Sequence, residues 1–109
     1  MKNKIEEKLI GKKVIVRANV AGVHAGEVIS SDLQHNIIML KDTYRLWRVY
    51  TRDKSGSISD VASNGLKPNA NHSIGAIIKT TTITNPNGLE ISEMTDAAWD
   101  SIVNYKQKD

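Results

Sequence analysis

Two short stretches of this 109-residue chain hold the residue types that recognise anions and flat rings. The first is Arg17 followed by Ala21-Gly22-Val23-His24, a guanidinium and an imidazole on either side of a glycine bend. The second is Tyr44-Arg45-Leu46-Trp47-Arg48-Val49-Tyr50, whose alternation puts Arg45 and Trp47 on one side of a strand. A guanidinium fork grips phosphate through two parallel hydrogen bonds, and an indole face stacks on a base. If the strands that carry them share a sheet, Arg17 comes to sit beside Arg45. The Ala21-Gly22 backbone would then be open to close approach, with His24 just beyond. That is an anion pocket built on a sheet. A plainer reading fits the same residues: a surface strand with an ordinary bulge, Trp47 in the core and the arginines in solvent.

The chain offers little for making or breaking bonds. Its three histidines, His24, His35 and His72, fall into no HxH or HExxH spacing, and cysteine is absent. Neither a metal site nor a thiol nucleophile is therefore expected. There is no GxSxG nucleophile elbow, and neither a Walker nor a dinucleotide fingerprint. The expectation is a binding protein rather than an enzyme, with no cofactor.

Positioning these residues falls to one domain over residues 1–109, with its core at about 12–103 and a frayed tail at 104–109. A content of 39% hydrophobic and 25% charged residues supports a single modest core. Residues 12–20 are β-branched and read as a strand, with Val14, Val16, Ala18 and Val20 on one face and Lys13, Ile15, Arg17 and Asn19 on the other. Further strands are expected at 24–30, 37–40 and 44–50, with a turn at 31–36. Ser57-Ile58-Ser59-Asp60 resembles a capping box, and Gly65 sits where a helix stops, so a short helix is expected over 58–64. A loop at 67–72 leads to a strand at 76–83, and Asn85-Pro86-Asn87-Gly88 turns the chain into a partner at 89–91. Thr95 or Asp96 then caps a last helix that runs to Val103. The expected fold class is α+β: an N-terminal, strongly curved antiparallel sheet or small barrel, one short central helix and a C-terminal helix.

Charge is mild overall at +3 but uneven. Six basic residues lie between Lys2 and Arg17, and five between Lys41 and Lys54, whereas residues 90–100 are acidic. Such stretches invite an anionic partner, although a solvated face accounts for them equally well. No apolar run approaches a membrane span, and residues 1–7 lack the apolar centre of a signal peptide. A cytoplasmic protein is expected.

Taken in order, Val16-Arg17, Ala21-Gly22-Val23-His24 with Gly26, Arg45-Leu46-Trp47, Ser57-Ile58-Ser59-Asp60-Val61-Ala62 with Gly65, and Glu90-Ile91 through Thr95, Ala98 and Ser101-Ile102 resemble a family of small phage proteins. These are the first described anti-Thoeris sponges, and the resemblance runs from about residue 12 to 103. Thoeris is a bacterial defence in which a TIR enzyme makes a cyclic ADP-ribose isomer that activates an NAD-depleting effector. The resemblance implies a protein of the host cell cytoplasm that binds this signal without cleaving it. It also implies a homo-oligomer, dimer or hexamer, with the ligand pocket at or near subunit contacts. In the hexamers, separate sites hold cyclic oligonucleotides. Neither a membrane nor DNA is implied as a partner.

On this resemblance Arg17 and Arg45 engage phosphate, the backbone of Ala21 and Gly22 lines the site, and His24 lies beside it. The family commonly has an aromatic residue near the position of His72 to stack the adenine; here the imidazole of His72, or Trp47 or Trp99, would have to serve. The family's later arginine has no counterpart, since no arginine follows Arg52. Two other functions fit the residues as well: a β-rich module that binds single-stranded nucleic acid, and an inhibitor that blocks a host protein by direct contact.

Overall fold

The computed structural model describes residues 8–18, 21–52 and 58–107. Six strands, β1 (Lys13–Ala18), β2 (Gly22–Asp32), β3 (Ile37–Arg48), β4 (Ser73–Ile74), β5 (Ile78–Thr84) and β6 (Glu90–Glu93), form one sheet. Two helices, α1 (Ile58–Asn64) and α2 (Asp96–Gln107), pack against it. The strand order is β4-β3-β2-β1-β6, with β5 also pairing β3, and every pairing is antiparallel. β5 and β6 therefore stand on opposite flanks, yet only residues 85–89 separate them along the chain. The sheet has to curl until those flanks approach. It does not close, because β5 pairs with β3 and β6 with β1.

The alternation of β1 separates two cores. Val14, Val16 and Ala18 join Val28, Ile38, Leu40 and Ile83 on one face. Ile15 points the other way and meets Ala25, Tyr44 and Leu46 under Val61, Ala62, Ala98 and Ile102 from the helices. Both faces of β1 are thus buried. Each fully buried Val, Leu or Ile contributes about 1.5–3 kcal/mol.

β3 is one strand where two were expected, at 37–40 and 44–50. Lys41 pairs Glu27 and Tyr44 pairs Ala25, so Asp42 and Thr43 oppose Gly26 alone, and Asp42 adopts φ 52°. This bulge bends the strand without ending it. Gly26 permits the bend, since a Cβ there would lie 3.1 Å from Leu40 Cβ, the Lys41 carbonyl and Thr43 Oγ1. β2 likewise runs on to Asp32, past the expected start of its turn. β4 forms just beyond the expected loop at 67–72, and β5 lies one to two residues later than expected. Asn19, Val20 and the capping residue Ser57 lie outside the described residues.

The helices appear where the residue pattern puts them. Thr95 caps α2, its Oγ1 accepting the Ala98 N–H at 3.1 Å while donating to the Ser63 carbonyl. The carboxylate of Asp60, the last residue of the expected capping box, accepts the Arg52 N–H at 2.9 Å and the Asn64 side-chain amide at 2.6 Å. α2 runs to Gln107, four residues past the expected end at Val103, so residues 104–107 are not a frayed tail. The Tyr105 hydroxyl and Lys106 Nζ reach the backbone of His72 and Ile74, and those bonds give the last turn a reason to stay wound.

Candidate functional site

Arg45, Trp47, Gly22 and His24 gather on the face of the sheet away from the helices. The register fixes this: Ala18 pairs Gly22, Val16 pairs His24, and His24 pairs Arg45. Gly22 has φ +84°, and a Cβ placed there would lie 2.8 Å from Arg45 Cζ. The guanidinium lies directly over the glycine, and the positive φ explains why the middle of the Ala21-Gly22-Val23 bend has no side chain. Arg45 Cζ also lies 4.0 Å from the centroid of the Trp47 ring. The cation–π contact orders both groups while Trp47 remains 64% exposed. Trp47 is not a core residue.

His24 is 7% exposed beside this pair. One ring nitrogen, Nε2, lies 2.8 Å from the Ala21 carbonyl. A carbonyl only accepts, so Nε2 carries the proton and Nδ1 is the acceptor. That Nδ1 is buried with no hydrogen-bond partner among the described residues. Burial pushes the His24 pKa below its usual 6.5; the Ala21 hydrogen bond raises it and the nearby Arg45 charge lowers it further. His24 is a neutral brace holding the Ala21-Gly22 bend.

The remaining expected residues lie elsewhere. Arg17 and Arg45 share the sheet, but β2 separates their strands and they face opposite ways. Arg17 pairs Val23, which packs on the helix-side core. Arg17 is exposed and lines a cleft of about 370 Å³ with Asn85, Asn87, Gly88, Leu89 and Glu90. The expected side-by-side arginines are therefore not formed within one copy. In the sequence, Asn85-Pro86-Asn87-Gly88 reads only as a turn, and nothing in it signals a cleft at Arg17.

His72 is 8% exposed and fully engaged: Nδ1 accepts the Tyr50 N–H and Nε2 donates to the Lys67 carbonyl, each at 3.0 Å. It borders a second cleft of about 360 Å³ between residues 66–70 and α2. Its ring is a structural pin rather than a free stacking plate. Trp99 packs edge-on against Tyr44, with centroids 5.8 Å apart, and lies 5.5 Å from Lys13 Nζ. Both contacts are on the helix side, away from Arg45. Sequence reasoning also passed over Gly75, whose N–H donates to the Arg45 carbonyl at 2.8 Å.

Among the described residues, no group of three or more His, Cys, Asp or Glu side chains is placed to hold a metal ion. No helix among them is long and apolar enough to cross a membrane. A family model described as a domain of unknown function, DUF6948, matches residues 11–102. No curated protein and no solved structure matches the chain.

Proposed function

Given that the chain belongs to the DUF6948 family, we propose that it binds and sequesters a cyclic ADP-ribose-type nucleotide without cleaving it, and so silences a Thoeris effector. The observation that carries this reading is the Arg45–Trp47 stack held over Gly22. Stacking fixes the guanidinium plane before a ligand arrives, so less rotamer freedom is lost on binding. The guanidinium edge suits a pyrophosphate, and the exposed indole suits an adenine. His24 commits its Nε2–H to Ala21 and is held neutral by burial, so the surface is equipped for charge and stacking rather than for moving a proton.

Arg17 enters this reading through a second copy. One chain cannot bring Arg17 and Arg45 to the same ligand, because they face opposite ways. A homo-oligomer with its pocket at the subunit contact would set Arg17 of one copy against Arg45 of the other. Cyclic oligonucleotides are further candidate ligands of such an assembly, and host cytoplasm is where it would act.

The test mixes purified protein with the signal from an active Thoeris lysate, filters it, and assays the filtrate before and after heating the protein. Loss of signal with intact recovery on heating is the expected result; loss without recovery means an enzyme, and no loss removes the ligand assignment. Arg45→Ala should weaken capture about 10- to 100-fold, as expected for losing a charged hydrogen-bond partner. Mixed oligomers of Arg17→Ala and Arg45→Ala should regain part of the capture that each variant lacks alone. Salt-sensitive affinity that grows with oligonucleotide length would instead favour a single-stranded nucleic-acid binder.

A further inference from the structure

The Arg45–Trp47 surface is bordered by a short strap, residues 72–75, and the strap is held from behind by α2. β4 within it is only two residues long, pairing Ile74 with Leu46 and Ser73 with Arg48. Gly75 follows, with its N–H on the Arg45 carbonyl; a Cβ there would lie 3.4 Å from Arg45 Cβ and 3.7 Å from Trp47 Nε1. The strap therefore lies against both members of the stack. A two-residue ladder holds little by itself, and its outward backbone groups still need partners.

Tyr105 fastens the strap at His72, the residue just before the ladder. Its hydroxyl donates to the His72 carbonyl at 2.8 Å and accepts the His72 N–H, also at 2.8 Å. One phenol thus satisfies both backbone groups of one residue, as a neighbouring strand would. Lys106 Nζ adds a third bond, to the Ile74 carbonyl at 2.9 Å. The His72 ring completes the fastening to Tyr50 and Lys67. A continuous set of bonds runs from the last turn of α2, around the sheet edge, to the backbone of Arg45.

We infer that Tyr105 is a positioning residue for ligand binding: by clamping His72 it sets the strap, and with it Gly75, against Arg45 and Trp47. This rests on the reading of Arg45 and Trp47 as the ligand-contacting pair. Tyr105 acts on the ligand only through the strap.

Tyr105→Phe keeps the ring and removes the hydroxyl, so it tests the clamp alone. Three readings are taken on the full chain: affinity for the cyclic ADP-ribose isomer, hydrogen exchange at the Gly75 amide, and the resonance of the Trp47 indole N–H. The expected result is about tenfold weaker binding, faster exchange at Gly75 and a displaced Trp47 resonance, with exchange at Val16 and Ile38 unchanged. Unchanged interior exchange distinguishes positioning from general loosening. Binding equal to that of the unsubstituted protein overturns the inference, and so does acceleration spread evenly over the interior. If the unsubstituted protein does not bind the isomer, the ligand reading fails separately. The clamp is then judged on Gly75 and Trp47, and no change at either overturns it. Should Tyr105→Phe fail to fold, Lys106→Met removes the neighbouring strap bond and is read in the same way.

Discussion

The smallest decisive feature is the missing side chain at Gly22. Its φ of +84° strains any side chain, and a Cβ there would displace the guanidinium above it. Gly22→Ala should cost about 1–2 kcal/mol in backbone strain and push Arg45 off Trp47. Urea unfolding reads the first effect, and the Trp47 indole resonance reads the second. His24 makes a separate prediction. Its folded pKa is depressed by burial, so the unfolded chain binds the extra proton more readily. The stabilising contribution is complete above the ordinary value of 6.5 and is lost as pH falls from there toward the lower folded value. The urea midpoint should drop across that interval, and His24→Asn should flatten the drop. Both residues were visible in the sequence as a glycine bend beside an imidazole. That His24 props the bend from beneath was not visible, because burial depends on which strands lie on either side.

At the level of elements, cross-strand charge ties the first three strands together. Glu27 accepts from Lys13 at 2.9 Å and lies 3.2 Å from Lys41, so one carboxylate bridges β1, β2 and β3. The Lys13 hydrogen bond, more than Lys41, holds its pKa below the usual carboxylate value. Glu27→Gln should lower stability by about 0.5–1 kcal/mol near neutral pH, and the deficit should shrink in high salt. The same group explains how much of the fold could be read in advance. Alternation in residues 13–18 and 44–48 identified the strands and their faces, because period two holds along any stretch that no bulge interrupts. The bulge at Asp42–Thr43 was not legible, since it depends on Gly26 of another strand. That register carries Arg45 to the face opposite Arg17. Residue types therefore located both arginines, but the expected side-by-side placing failed on register and on the strand between them. The end of α2 escaped for a similar reason: Tyr105 and Lys106 hold it through partners more than thirty residues away.

The described residues span 45 × 26 × 23 Å, a long curl rather than a sphere. One side of the curl carries the two helices, and the other carries Arg45, Trp47 and Gly22. The Arg45–Trp47 stack and the helices thus occupy opposite faces, with the strap at 72–75 passing between them at the edge. The pairing of β1 with β6 has a further consequence, one of timing. Val14 lies beside Glu93, so β1 waits for β6, which follows it far along the chain. During synthesis β1 and β2 emerge together, but one flank of β1 stays bare until residues 90–93 have been made. Such distant pairings must overcome loop-closure entropy before they stabilise anything. Refolding from urea should take milliseconds to seconds rather than microseconds, as stopped-flow fluorescence can record. A ribosome-bound chain that stops before residue 90 should remain sensitive to protease, whereas the released chain resists it. The second flank of β1 would then be covered only after translation has passed residue 93.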